Sequence, residues 1–226
     1  MVERVNCLFE HFRIPGPSRD RGEMLARRAA VLGEGMTHLE DYRALAAIAL
    51  HHQPTSIFEI GTFLGVTSNF FLELLPECRV TSIAYVKNRW NPFRKRYNNC
   101  GLSRKDVGRM VASDHRPRFT QLFGDSHALR AEDMVTRFGE FDMVFIDGDH
   151  SRAGVALDTE LCLRILSPGG ALCWHDANPC EKYLDVREFL ERDFPLPLIA
   201  TADTYVGGVA YCAIHRPAAG TQPIAA

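Results

Sequence analysis

Ile57-Phe58-Glu59-Ile60-Gly61-Thr62-Phe63-Leu64-Gly65-Val66-Thr67 is an apolar run that breaks into a glycine turn. The pattern predicts a buried strand ending at Glu59 and Gly61, then a helix opening near Val66. Gly61 and Gly65 let the backbone come close to a ligand where any Cβ would clash. The helix N-terminus then offers unpaired N–H groups to a carboxylate or a phosphate. The spacing, E-x-G-x-x-x-G, is not the G-x-G-x-x-G of dinucleotide binders, and it lacks the Gly-Lys-Ser/Thr of a phosphate-binding P-loop.

Outward from this stretch, strands and helices are expected to alternate. On the N-terminal side, residues 1 to about 35 are polar and arginine-rich, with Pro15 and Pro17 as breakers and a helix from Asp20 to Leu32. A second helix is expected from about His38 to His51, where Leu39, Tyr42, Leu45, Ala46 and Ala49 fall at helical spacing, and Pro54 ends it. On the C-terminal side, the strand Ser56 to Ile60 is followed by a helix from Thr67 to Leu75, stopped by Pro76. Arg79 to Tyr85, Phe119 to Phe123 and Phe141 to Asp147 read as further strands. Asp158 to Leu166 reads as a helix that stops at the turn Ser167-Pro168-Gly169-Gly170. A short strand from Ala171 to Trp174, a helix from about Leu184 to Arg192 and a strand pair around Thr204 to Ile214 complete the pattern. The expected fold is α/β: a doubly wound, mostly parallel Rossmann-like sheet with a terminal antiparallel strand and an N-terminal helical extension. Residues 1–52 are expected to form that extension or lid, 53–217 the main domain and 218–226 a disordered tail.

Bulk composition narrows the function classes. A chain of 226 residues suits one domain with a sizeable core. A net charge near −2 argues against a polyelectrolyte binder. The apolar runs fall far below the roughly 18 residues of a membrane span. The N-terminus shows no signal pattern, so a cytoplasmic location is expected. Seven cysteines (Cys7, Cys78, Cys100, Cys162, Cys173, Cys180, Cys212) are scattered and never spaced C-x-x-C. They indicate neither a zinc site nor a disulfide framework, and reduced thiols are expected.

In an open α/β sheet, ligands bind beyond the carboxyl ends of the strands. Here those ends carry Glu59-Ile60-Gly61, Gly124-Asp125-Ser126, Asp147-Gly148-Asp149-His150 and His175-Asp176. The strings FEIGTFLGVTS, LFGDSHAL, FDMVFIDGDHS and LSPGGALCWHD, in this order, resemble class I S-adenosylmethionine-dependent methyltransferases. The pairing of IDGDH with a later PGG…HD is similar to the small bacterial O-methyltransferase-like group and to the catechol-type enzymes.

That resemblance implies S-adenosylmethionine as cofactor. Glu59, Gly61, Thr62 and Gly65 would surround its methionine half, with Thr67 near its carboxylate, and Asp125 and Ser126 would lie at its adenine. Asp147 and Asp176 match the aspartates that hold Mg²⁺ in the catechol-type enzymes, and hard carboxylate oxygens suit that ion. A metal there would lower the pKa of an acceptor hydroxyl. His150 falls where those enzymes place a lysine base and could take the hydroxyl proton. Each position has a plainer reading. Asp147 and Asp149 could be turn or helix caps, with Asp149 alternatively a metal ligand, and His150 could bond a carbonyl. Thr67 and Ser126 suit helix N-caps in any protein.

Two departures stand out. Class I methyltransferases end their second strand in an acid that accepts from both ribose hydroxyls, a contact contributing about 1.5–3 kcal/mol. Here Ala84 holds that place, with Tyr85 or Asn88 as substitutes. Secondly, Ala177 intervenes between Asp176 and Asn178, so a third metal ligand would come from Asp149, His150 or Asn178. The segment Lys87 to Arg118 carries ten Lys or Arg, with Trp90, Phe93 and Tyr97 interleaved among the first five. It reads as a solvated face or as a specificity insertion where arginines meet an anionic group.

The expected activity is methyl transfer to a hydroxyl oxygen of a small-molecule acceptor, with metal assistance and a homo-oligomer as candidates. The alternative is a methyltransferase-like fold that has lost methyl transfer. An RNA-directed enzyme ranks below both, because one basic patch on a net-acidic chain supplies little counterion release.

Overall fold

A computed structural model describes residues 1–33, 37–86, 102–178, 184–201 and 208–214. The elements run β1 (Val2–Val5), α1 (Leu8–His11), α2 (Gly16–Leu32), α3 (Leu39–His52), β2 (Ser56–Ile60), α4 (Val66–Leu74), β3 (Arg79–Ala84) and β4 (Phe119–Phe123). They continue with α5 (Ala131–Phe138), β5 (Phe141–Ile146), α6 (Arg152–Ile165), β6 (Leu166–Trp174), α7 (Leu184–Glu188), β7 (Leu198–Thr201) and β8 (Ala210–Ala213). The eight strands form one sheet in the order β1-β7-β8-β6-β5-β2-β3-β4. Only β8 runs antiparallel to its neighbours, β6 and β7. The mostly parallel sheet with a terminal antiparallel strand is therefore the one expected.

Strand alternation sorts the core into two layers, because successive side chains leave opposite faces of a sheet. Ile57, Met143 and Phe145 face one side, where they pack with Tyr42, Leu45 and Ile48 of α3 and Phe70 and Phe71 of α4. Phe58, Val144, Ile146 and Trp174 face the other, against Val155, Cys162 and Ile165 of α6 and Val186 of α7. Burial on both faces explains why these strands read as near-continuous apolar runs rather than alternating ones. Each fully buried large side chain contributes about 1.5–3 kcal/mol.

The N-terminal stretch differs from its sequence reading in two ways. Val2–Val5 forms β1, which pairs in parallel with β7 through Val2↔Leu198 and Val5↔Thr201. The polar Glu3 and Arg4 disguise it, a pattern suited to a solvated edge strand. Helix α2 begins at Gly16, so Pro17 lies in its first turn, where the missing N–H costs nothing. Further along, α6 begins at Arg152, six residues before the expected Asp158. Ser151 caps it by accepting from the Gly154 N–H at 3.1 Å. Of the strand pair expected around Thr204 to Ile214, β8 falls within the span; its partner β7 lies before it, at Leu198–Thr201, and 202–207 is outside the described residues. So is the tail after Pro217.

Register brings the strand ends level. Ile60 pairs with Ile83 and Ile146, and Ile146 with Trp174. The ladder runs one residue further, with Gly61 N donating to Ile83 O, Asp147 N to Ile60 O and His175 N to Ile146 O. Ala84, Gly61, Asp147 and His175 thus stand in a row along one sheet edge. No helix among the described residues is long and apolar enough to cross a membrane.

Candidate active site

At the end of β5 and β6, five ionisable side chains form one network. His150 Nε2 lies 2.8 Å from Asp176 Oδ2 and 3.5 Å from Asp147 Oδ1. His175 Nδ1 lies 3.4 Å from Asp147 Oδ1 and 3.3 Å from Asp176 Oδ2. On its far side, His175 Nε2 meets Asp41 Oδ2 of α3 at 3.3 Å. Asp41, His175 and Asp176 are buried, while Asp147 and His150 are half-buried. Asp176 holds this position with φ 55°, in the left-handed region. Such strain in an aspartate persists where surrounding contacts over-determine it, and it clusters at functional sites.

The charges are mutually supporting. Burial alone would raise the Asp147 carboxyl, but His175 and His150 outweigh it and hold the carboxyl well below the usual range. Burial likewise opposes the shift at Asp176, where the nearby rings of His150 and His175 lower the carboxyl. Burial disfavours a charged His150, yet its bonds to Asp147 and Asp176 push it up to about 9. For His175, burial is outweighed first by the charge of Asp147, which keeps the ring well above its ordinary value. Asp147, His175 and Asp176 each offer one ligand atom, all within 4.8 Å of one another. The buried His175 Nδ1, facing both carboxylates, makes no hydrogen bond. An orphaned donor atom beside two hard oxygens fits a shared divalent ion.

The glycine turn at β2 has a different character. A Cβ on Gly61 would collide with the backbone carbonyl of Asp147, and Gly61 has φ 109°. A Cβ on Gly65, φ 85°, would lie 2.8 Å from Gly108 Cα. Both glycines are thus required by the protein's own backbone. The 108–110 segment also bonds the turn, Gly108 N donating to Phe63 O and Met110 N to Leu64 O at 3.0 and 2.9 Å. Thr62 is buried, its hydroxyl bonded to Ser82 at 2.7 Å and accepting from Gln121 Nε2 at 2.8 Å. Glu59 is fully buried and accepts from Ser68 and Ser82 through Oε2. Its Oε1 has no partner. Burial pushes this carboxyl up to about 7 despite the two serine donors. Thr67 shares a 3.3 Å hydrogen bond with the Tyr42 hydroxyl. Helix α4 has no side-chain cap at Gly65, which leaves its first N–H groups for a carboxylate.

On the β4 side, Gly124 N donates to Ala84 O, setting the Asp125-Ser126 turn beside β3. Asp125 accepts from the His127 N–H at 3.1 Å. His127 Nε2 lies 3.4 Å from Asp158 Oδ1 of α6. A Cβ on Gly148 would stand 3.2 Å from Asp158 Oδ2, so this turn leans towards the end of β5. Tyr85 and Ser126 are half-buried beyond the strand ends. Asp149 is engaged at the start of α6 and is not one of that group of three: its Oδ1 accepts from Ser151 N at 2.9 Å and its carboxyl lies against Gly154. Asn178 accepts from Arg4 of β1 at 3.0 Å.

A sequence profile of the methyltransferase domain family matches residues 58–177, just over half of the chain. The chain belongs to that methyltransferase family. The expected class I S-adenosylmethionine-dependent family is thereby borne out. No curated protein matches the sequence. Among solved structures, SAH-bound PaMTH1 methyltransferase from Podospora anserina is 15% identical, with 87% of each chain covered and a TM-score of 0.54. An O-methyltransferase from Bacillus cereus in complex with SAH is 16% identical, with 88% of this chain and 92% of that chain covered and a TM-score of 0.51. The MycE methyltransferase of the mycinamycin biosynthetic pathway, in complex with Mg, SAH and mycinamycin VI, is 16% identical. There 89% of this chain and 56% of that chain are covered, with a TM-score of 0.53. At these identities the likeness establishes the fold.

Within this methyltransferase, the basic segment divides. Lys87 to Gly101, with Asn88, Trp90, Phe93 and Tyr97, lies outside the described residues. Of the remainder, Arg118 donates to the carbonyls of Leu72, Leu75 and Cys78, and Arg116 to those of Gly108 and Val111. Arg104 stacks over Phe123 at 4.8 Å, and Arg109 lies 3.9 Å from Asp106. Arg116 and Arg118 staple backbone in place. The sequence does not announce two roles: His175, rather than Asp149, His150 or Asn178, completes the group with Asp147 and Asp176, and Asp41, three positions after His38, there reads as a helix-capping acid.

Proposed function

We propose that this protein transfers the methyl group of S-adenosylmethionine to a hydroxyl oxygen of a small-molecule acceptor, assisted by a divalent ion. The carrying observation is the convergence of Asp147, His175, Asp176 and His150 at one strand edge, beside the Gly61 turn. The fold relatives support it, since MycE was solved with Mg, SAH and mycinamycin VI.

Under this reading the uncapped N-terminus of α4 receives the cofactor's carboxylate, and the cationic centre draws the buried Glu59 into its ionised form beneath it. The Asp125-Ser126 turn borders the adenine. Asp147, His175 and Asp176 hold the ion, which supplies Lewis acidity towards an acceptor hydroxyl. His150 Nε2 takes the hydroxyl proton. With both carboxylates uncompensated His150 is protonated at neutral pH. It becomes a base only when the charge beside it is neutralised. The rest of catalysis is in-line positioning of acceptor and methyl donor.

A second reading is favoured by one observation. Ala84 is buried at the end of β3, where a ribose-binding acid is expected. A chain without that contact could have lost methyl transfer. Calorimetric titration with SAH separates the two: micromolar binding supports the enzyme, and no heat at millimolar ligand supports the second reading.

A further inference from the structure

Asp41 is a fully buried acid touching the site, and it comes from α3, in the segment expected to be a lid. Its backbone position, third in the helix, belongs to a capping box with His38, whose N–H donates to Oδ2 at 3.1 Å. Capping-box acids normally sit at the solvated start of a helix. This one is fully buried. Its Oδ1 accepts the Gly208 N–H at 2.8 Å, and its Oδ2 also faces His175 Nε2. Three separate segments therefore meet on one carboxylate. A buried carboxylate with two backbone donors and an imidazole is costly unless every bond is kept.

The consequence falls on His175. With Nε2–H committed to Asp41, the ring can offer only Nδ1 to the pair Asp147 and Asp176. Phe145, 6.2 Å away and nearly perpendicular, lies against the same ring. We propose that Asp41 is a positioning residue that presents His175 Nδ1 as a nitrogen ligand, so that the centre takes an imidazole-accepting divalent ion such as Mn²⁺ in preference to Mg²⁺. The inference rests on reading this cluster as a metal seat, and it goes further by fixing the ion's class and the residue that sets it. Mg²⁺ favours all-oxygen shells and keeps its waters, whereas one imidazole with two carboxylates suits a first-row transition ion. Carboxylates that hold the second ring nitrogen of a metal-bound histidine raise affinity by about 10–100-fold.

The test is direct metal binding to the full chain, read by loss of the free Mn²⁺ electron paramagnetic signal and by calorimetry with Mg²⁺. The wild type is expected to bind Mn²⁺ at least about tenfold more tightly than Mg²⁺. Asp41→Asn is expected to weaken Mn²⁺ binding about 10–100-fold while SAH binding stays within about twofold. A purely structural role would lower both together. His175→Asn, which supplies an oxygen in place of the nitrogen, is expected to bring the Mn²⁺-to-Mg²⁺ ratio close to one. It gives an independent answer if Asp41→Asn does not fold. Unchanged Mn²⁺ affinity in folded Asp41→Asn, or an unchanged ratio in His175→Asn, overturns this inference and leaves the metal seat standing. A wild type that binds SAH but neither ion overturns both the inference and the metal-assisted reading.

Discussion

The two halves of the strand edge are built on opposite principles. At β2 and β3, the glycine turn is closed by the protein itself: Asp147 O fills the space beside Gly61, and Gly108 fills that beside Gly65. At β5 and β6, the side chains do not close their own account, since His175 Nδ1 faces two carboxylates without a hydrogen bond. The first half is packed shut around its glycines, although Glu59 Oε1 beneath them has no partner, and the second gathers two imidazoles and two carboxylates at ion-pair distances. A glycine-rich turn is therefore weak testimony for a ligand, whereas an orphaned buried donor among acids is stronger.

The largest effect is expected on the scaffold. Gly61→Ala forces a side chain into the Asp147 carbonyl and a positive φ, at about 4 kcal/mol or more. Thermal denaturation should show a loss of about 10 °C or more. An unchanged midpoint would mean that the turn has slack. Next, Asp147→Ala should lower methyl transfer by about 100-fold or more while the protein stays folded. Retained turnover with unaltered metal dependence would remove Asp147 from the site.

Glu59 tests the burial argument. Its carboxyl sits at about 7 in the folded protein against an ordinary 4.5. The stability it contributes is present below pH 4.5 and lost as pH rises through 7. Glu59→Gln should flatten the denaturant midpoint across that window, and a profile matching the wild type would contradict it. The smallest effect concerns His150 in metal-free protein. Raised to about 9 by Asp147 and Asp176, it stabilises fully below pH 6.5 and loses that contribution as pH passes 9. His150→Ala should erase that decline in chelator-treated samples. A persistent decline would place its origin elsewhere.

Much of this architecture was legible because both faces of the central strands are buried, giving runs such as FDMVFID that announce themselves. Turn chemistry announced the glycine loop, whereas Ser167–Gly170, expected as a turn before a short strand, lies inside β6, where the pairing register with β5 shifts. The edge strand β1 was not legible, since Glu3 and Arg4 dilute a four-residue pattern. The start of α6 was missed because Gly154 weakens the helical signal, although Ser151 was available as its cap. In the site, Asp147, His150 and Asp176 could be named from strand-end position. Asp149 shares their string but turns to Ser151 and Gly154, because beyond the end of β5 the chain bends into α6 and strand alternation no longer sets the side-chain direction. Asp41 could not be named. It is over one hundred residues from His175, and only the packing of α3 on the sheet joins them.

The most direct test of the account is a crystal structure grown with SAH and Mn²⁺, with anomalous scattering recorded for the metal. The account predicts an anomalous peak bounded by Asp147, His175 and Asp176. It also predicts the adenosyl group lying from the Gly61 turn to the Asp125-Ser126 turn. A metal peak elsewhere, or SAH bound away from these strand ends, would contradict it.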